Sequence, residues 1–474
     1  MFDRWLNPVF VRETRQAVRN RTVSVLMQLY LLALVAYAYW RFFFNSISLQ
    51  NISGEQLSNE YIAIAFIATA TTVLRHTGGR LVAERINEDM MYVSTLRPMQ
   101  IAMGKFWSGC VISFLFYTMT LPFLTLAYLF RGLDLRMMTV LLIASFLMIQ
   151  TLNTMVLAFF AGVRNYLDAV VRTVPFLIVT GMLLSFCWIM GTFIFWHGVH
   201  GIVNGHIILC CFIYVLIPLA MLLLTACQFA PPQSNRMFST RMVMTGFGLV
   251  TLGIAVAFSL LFADTFVLFW IFLGMYPFAF FALIATCERD DYGLRLRASI
   301  PKERWRRVLM FPLYSGDCNA IVWLFLWIIA AFLALAVSGS FFESRFTMFY
   351  PIFSIALFSF NYAVTAIAVR YCLRRWIAKE STWLICVALL ALGTLCSVLF
   401  YIFVFEPNVV EQDLCESLFF VPNPFWIIEP GILEPAKEKE IQFMSACVWF
   451  LALLPFVSRW SQRRFKKFVR YECG

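Results

Sequence analysis

Residues 84–105 read ERINEDMMYVSTLRPMQIAMGK, a charged stretch set between two long apolar runs. Glu84, Arg85, Glu88, Asp89, Arg97 and Lys105 surround a short apolar patch, Met90–Val93. On a helix, Arg85 and Asp89 are four apart and pair, Glu84 and Glu88 present acids, and Met90, Met91, Tyr92 and Val93 form an adaptable apolar anchor. Pro98 is expected to end this segment and turn the chain into the next apolar run. Such a segment suits one face of a membrane, where it meets something outside the bilayer.

The flanks decide the class. The 474-residue chain is 61% hydrophobic and 13% charged, with mean hydropathy +0.79, against about 25% charged in soluble domains. A hydrocarbon core of about 30 Å takes about 20 apolar residues per helix. Twelve runs fit: 22–40, 57–74, 106–129, 139–162, 173–196, 207–229, 242–262, 265–286, 320–337, 346–369, 382–405 and 441–457. They are continuous, without the two-residue alternation of a β-barrel. The expected fold class is all-α and polytopic, with twelve transmembrane helices. No cleavable signal peptide is expected, because Asp3 and Arg4 precede a polar stretch and the first run is long enough to remain as a span.

With twelve spans the termini share a side, and 31 of the 37 Lys and Arg fall on it. The acids divide 13 and 13, so the asymmetry belongs to the cations, as the positive-inside rule requires. Both termini are therefore expected in the cytoplasm. The net charge of +11 marks a membrane surface. It does not mark a nucleic-acid partner, since no folded soluble domain carries it. The thirteen cysteines lie mostly within spans or on the basic side, with Cys415 in an outer loop, so no disulfide framework is implied.

At the N-terminus, NPVFVRETRQAVRNRT (7–22) offers Asn7 as a cap and Pro8 as the first helical residue. Phe10, Ala17 and Val18 form an apolar face and Arg12, Arg15 and Arg19 a basic one, the pattern of a helix lying in the interface.

These two stretches carry a resemblance. Residues 7–37 resemble the opening of the type-two ABC exporter permeases, which begin with Asn-Pro, a basic interfacial elbow helix and a first span. Residues 84–105 resemble that family's segment after the second span, commonly ERGTLDLLLLTPLSPREIVLGK. Glu84 and Arg85 match its ER, Asp89 its acid, Leu96 and Pro98 its turn, and Ile101, Gly104 and Lys105 its ending. Ile86-Asn87, Thr95 and Met90–Val93 depart from it. The match covers about the first 130 residues.

The resemblance implies a coupling helix at Glu84, Arg85, Glu88, Asp89, Met90, Met91 and Tyr92, docked on a cytoplasmic ABC ATPase subunit that holds ATP and Mg. No cofactor is expected on this chain: Gly104-Lys105 lacks the upstream glycine of a phosphate loop. It also implies a bacterial inner-membrane location and an exporter of unspecified substrate, working as a homodimer or as a 6+6 pseudo-dimer.

Organisation agrees with a pseudo-repeat. An interfacial helix (1–21) precedes a first six-helix half (22–229) with its large basic-side loop at 75–105. A second half (242–457) places its large loop at 287–319, again after its second span, and a basic tail follows (458–474). Gln150 and Asn153 in the fourth span, and Asn361 in the tenth, are expected to line a polar substrate path; hydrogen bonding between helices is the plainer use of such amides.

Two other classes remain. With the second run counted from Tyr61, where its apolar stretch proper starts, the runs contain no ionisable residue, which disfavours an ion-coupled transporter. A membrane enzyme acting on lipid or glycan at the outer face would use Glu411, Asp413 and Glu416 of the 406–440 loop, which lacks histidine. His197, His200 and His206 gather outside the membrane, where an interfacial loop is a commoner reading than a metal site.

Overall fold

The computed structural model describes residues 7–41, 54–86, 96–129, 135–163, 173, 176, 180, 218–230, 234–262, 266–288, 292–337, 346–373, 382–389, 391–392 and 435–470. Among them every regular element is helical. Two compact units form. The first holds α1 (Pro8–Arg19), α2 (Arg21–Tyr39), α3 (Gly54–Val73), α4 (Gly79–Ile86), α5 (Pro98–Leu129), α6 (Leu135–Phe160) and α7 (Pro218–Phe229). The second holds α8 (Phe238–Phe262), α9 (Phe266–Ala285), α10 (Leu294–Ala298), α11 (Arg304–Met310), α12 (Asp317–Val337), α13 (Phe346–Cys372) and α14 (Pro435–Lys467).

Among the described residues, eight helices are long and apolar enough to cross a membrane: Arg21–Tyr39, Gln56–Glu84, Pro98–Leu129, Leu141–Phe160, Phe238–Leu261, Asp317–Val337, Phe353–Cys372 and Phe443–Lys467. With the composition, they make this an all-α polytopic membrane protein. Much of the expected spans 173–196, 207–229 and 382–405 lies outside the described residues. So do His197, His200 and His206, and Glu411, Asp413, Cys415 and Glu416 of the outer loop.

Helices outrun the apolar stretches that nucleate them. α3 continues through a π-helical turn at Leu74–Gly78 into α4, so one rod carries the chain from Gly54 to Ile86. α5 begins at Pro98, eight residues before its apolar run. Pro98 therefore opens this helix as its first residue, where a missing N–H costs nothing; the end of the segment before it, 87–95, lies outside the described residues. As a result His76, Glu84, Lys105, Arg241 and Asp317, which lie beyond the apolar runs, all sit within helices, as does Glu60. The expectation of spans without ionisable groups fails for these helices, and for the second run as drawn, 57–74, which includes Glu60.

The first unit packs Tyr30 and Leu34 of α2, Leu57, Tyr61 and Ala65 of α3, and Ile112, Phe116 and Leu124 of α5 into one buried core. Within it the Tyr30 and Thr120 hydroxyls share a hydrogen bond of 2.6 Å, so neither is left unsatisfied. The second unit is aromatic. Phe325 stacks on Phe450, and Phe332 meets Phe353 at 4.1 Å between ring centroids. The indoles of Trp270 and Trp323 donate to Thr251 and Thr245 at 2.9 and 2.8 Å.

α8 meets α12 by way of a glycine. A Cβ on Gly248 would fall 2.4 Å from Cη2 of Trp327, whereas one on Gly253 of the same helix meets nothing within 4 Å. Gly248→Ala is therefore expected to cost about 1–3 kcal/mol through overpacking. Gly253→Ala should leave stability unchanged or raise it, as the helix gains propensity. Thermal unfolding of the two variants in detergent, followed by size-exclusion monodispersity, checks the contrast.

Candidate functional site

The charged residues flanking the second and third membrane helices converge on one buried cluster. It starts from the cap of α1. The Asn7 side-chain oxygen accepts from the Val9 N–H at 3.0 Å, as the Asn-Pro order leads one to expect, and Asn7 Nδ2 donates to the Gln100 carbonyl in the first turn of α5. α1 then lies directly on α5, because Gly104 has no side chain. A Cβ there would stand 2.7 Å from Val9 Cβ and 3.0 Å from the Phe10 nitrogen.

Next along α5 comes Lys105, 5% exposed. Its Nζ donates to Glu13 Oε1 at 2.8 Å and to Glu84 Oε2 at 2.6 Å. Glu13 is 4% exposed, and its other oxygen lies 3.5 Å from Arg80 Nη1. Burial pushes the Glu13 carboxyl upward, but the charge and hydrogen bond of Lys105, with Arg80 and His76, outweigh it and hold the group below its ordinary 4.5. Three segments are thereby joined: α1, α4 and the start of α5. His76 is buried in the π turn beside them, and neither ring nitrogen has a hydrogen-bond partner among the described residues.

The same turn aims Thr77 at α6. Its hydroxyl donates to Asn153 Oδ1 at 3.4 Å, and Asn153 Nδ2 donates to the Phe106 carbonyl at 3.1 Å. The Asn153 amide fills the notch left by Gly109, where a Cβ would come within 2.4 Å of it. One turn earlier, Gln150 Oε1 accepts from the Cys110 thiol at 2.9 Å, while its buried Nε2 has no partner among the described residues. Asn361, in the other unit, donates to the Ala446 carbonyl at 3.0 Å, with its Oδ1 similarly unpartnered. The structure thus brings Gln150 and Asn153 together between α5 and α6, and puts Asn361 between α13 and α14.

The second unit has its own buried ionic knot. Arg241, in the first turn of α8, donates to the carbonyls of Pro312 and Tyr314 and to Glu288, which follows α9. The second Glu288 oxygen accepts from the Gly316 N–H at 2.8 Å. Gly316 has φ 148°, a conformation that strains any residue with a side chain. Beside the knot, Asp317 lies 3.6 Å from Arg370. Leu296, Phe311, Tyr314 and Cys318 close over Phe468 from beyond α14. The 287–319 loop is therefore a folded cap.

Of the residues singled out for coupling, Glu84 is half-buried on Lys105, and Arg85 lies in α4, its side chain outside what is described. Glu88, Asp89, Met90, Met91 and Tyr92 lie outside the described residues. Glu13, Arg241 and Glu288 were not foreseen. A signal existed for Glu13: it is the one acid of α1, on the helical stripe of Phe10 and Ala17, where an apolar residue belongs.

Lys105→Met strands a buried carboxylate, and breaking such a pair typically costs about 3–5 kcal/mol. The double variant Glu13→Gln with Lys105→Met should recover most of the loss. Because the folded Glu13 carboxyl titrates below its unfolded value, its contribution is complete above about pH 4.5 and is lost as pH falls through the folded value. Unfolding temperatures measured from pH 7 to pH 3 should show this acid loss in the wild type and a smaller one in the double variant.

No family model, curated protein or solved structure matches the chain.

Proposed function

We propose that this chain is the membrane-spanning permease subunit of an ATP-driven ABC exporter. In this reading twelve helices form a 6+6 pseudo-repeat in the bacterial inner membrane, with both termini cytoplasmic. ATP and Mg are held by separate ABC ATPase subunits. The observation that carries it is the Lys105 cluster: the positions that resemble the family at each end of the 84–105 segment, Glu84 and Gly104-Lys105, bond to each other and to the elbow helix. A coupling segment needs such an anchor. Residues 87–95 lie outside the described residues, but the chain on either side of them is fixed on one ionic cluster, so in this reading a push from a docked ATPase passes through Glu84 and Lys105 to α1 and α5. Met90, Met91 and Tyr92 supply the apolar contact, with Arg85, Glu88 and Asp89 around them.

The repeat draws support from a shared device. Glu84-Arg85 and Glu288-Arg289 each follow the second apolar run of their half. In each pair the glutamate binds a base on another membrane helix, Lys105 in one case and Arg241 in the other. For the substrate path, Gln150 and Asn361 each keep one buried polar atom that finds no partner among the described residues.

Purification of the full chain from its native membranes in mild detergent is expected to bring down an ABC ATPase. Met90→Asp with Met91→Asp should release that ATPase while leaving the unfolding temperature of the permease unchanged, since the Lys105 cluster is untouched. Retention of the ATPase by this variant, or isolation of the chain without one, retires the reading. Gln150→Leu and Asn361→Leu should assemble normally and blunt substrate-stimulated ATP hydrolysis; unchanged stimulation removes them from the path.

A further inference from the structure

The cap of the second unit presents a face that no described residue of the unit covers. α11, Arg304–Met310, reads RWRRVLM. At about 100° per residue, Trp305, Val308 and Leu309 form one stripe, with Arg304 and Arg306 on its two flanks. Those three apolar residues are 62%, 56% and 61% exposed. Met310, on the opposite side, packs into the cluster around Phe311 and Tyr314. The Arg306 guanidinium lies 5.1 Å from the centre of the Trp305 ring and 3.0 Å from Glu303. The helix itself contains three arginines and no acid.

Position narrows what can cover the stripe. Six residues separate Met310 from Asp317, where the membrane helix α12 begins. They reach at most about 25 Å when extended, and three of them are coiled in a 3-10 turn, so α11 lies at the mouth of that helix. It cannot swing away, because the Arg241–Glu288 knot and the Phe468 contact hold the cap to α8 and to the end of α14. The cap also belongs to the side of the chain where Lys and Arg concentrate. A fixed helix at the membrane surface, apolar on its outer stripe and arginine on both borders, has the chemistry of an anionic lipid interface. The stripe enters the acyl boundary, tryptophan sits at headgroup depth and the guanidiniums reach phosphates.

We propose that α11 is a lipid-binding foot: Trp305, Val308 and Leu309 seat in the leaflet, and Arg304 and Arg306 bind the phosphates of anionic phospholipids. This does not depend on the exporter reading. It does divide labour between the two large loops, leaving 84–105 for a soluble partner and giving the outer face of 287–319 to the bilayer.

The test uses the full chain with an environment-sensitive fluorescent amino acid in place of Leu309. The chain is reconstituted in nanodiscs of phosphatidylcholine alone, or of phosphatidylcholine with phosphatidylglycerol, some of the lipids carrying a nitroxide quencher on the acyl chain. The expected result is lipid quenching that rises with phosphatidylglycerol and falls with added salt. A basic residue near an anionic surface strengthens partitioning about five-fold. Arg304→Gln with Arg306→Gln should therefore weaken the phosphatidylglycerol-dependent part by about 25-fold. Equal quenching in both lipids overturns the headgroup assignment. A label that stays wet in both, and is shielded only when a soluble ATPase is added, overturns the foot and makes the stripe a protein-docking surface.

Discussion

A lysine ammonium buried at the junction of three chain segments holds the first unit together. Moving an ion from water to a protein interior costs several kcal/mol even after relaxation, so such a lysine persists only where carboxylates meet it in good geometry. Lys105 has two, Glu13 and Glu84, and Arg80 stands behind Glu13 to balance the second negative charge. Each partner comes from a different segment, and none can leave without stranding a charge. The corner formed by α1, α4 and the start of α5 is therefore a fixed block, and its tightness rests on Gly104, which lets α1 close to contact distance.

The second unit answers the same need differently. Its long connection between α9 and α12 is held by Arg241, which satisfies two carbonyls and a carboxylate at once, as a forked guanidinium can and an ammonium cannot with the same fixity. Aromatic packing then does what the ionic cluster does alone in the first unit: Phe468 touches Phe311, Tyr314 and Tyr292, tying the end of α14 to the cap. An ionic corner resists separation but stays thin. A corner of rings occupies volume and builds a platform from which α11 projects.

The all-α membrane class was legible because long apolar runs have few alternative fates, and the Asn7-Pro8 helix start was legible because capping is local. Lys105 was not. Reading spans from apolar runs ends each one at its first charge, but a helix stops when its backbone does, and here the backbone runs on to Pro98. Lys105 thereby passes from an expected loop into a buried turn. Gly109 was silent, and Gly104 was marked only by the family resemblance, since a glycine chosen for a neighbour's approach leaves no pattern of its own along the chain. The amides at 150, 153 and 361 were visible as polar exceptions in apolar helices; which of their atoms find partners depends on carbonyls from helices distant in sequence.

The π turn at Leu74–Gly78 also sets the phase of the rod. A π turn fits one extra residue into a helix, so residues beyond it are rotated by about 100° relative to an uninterrupted α-helix. Upstream, Tyr61 and Ala65 face the apolar core; downstream, Glu84 faces Lys105. An uninterrupted α-helix of this sequence could hold one of these alignments but would turn the other aside. The turn works as a phase shifter, letting a single rod serve a greasy core at one end and an ionic knot at the other. Spacing between Gly54 and Ile86 is thus part of the architecture, and a chain one residue shorter here could keep both alignments only by losing the turn itself.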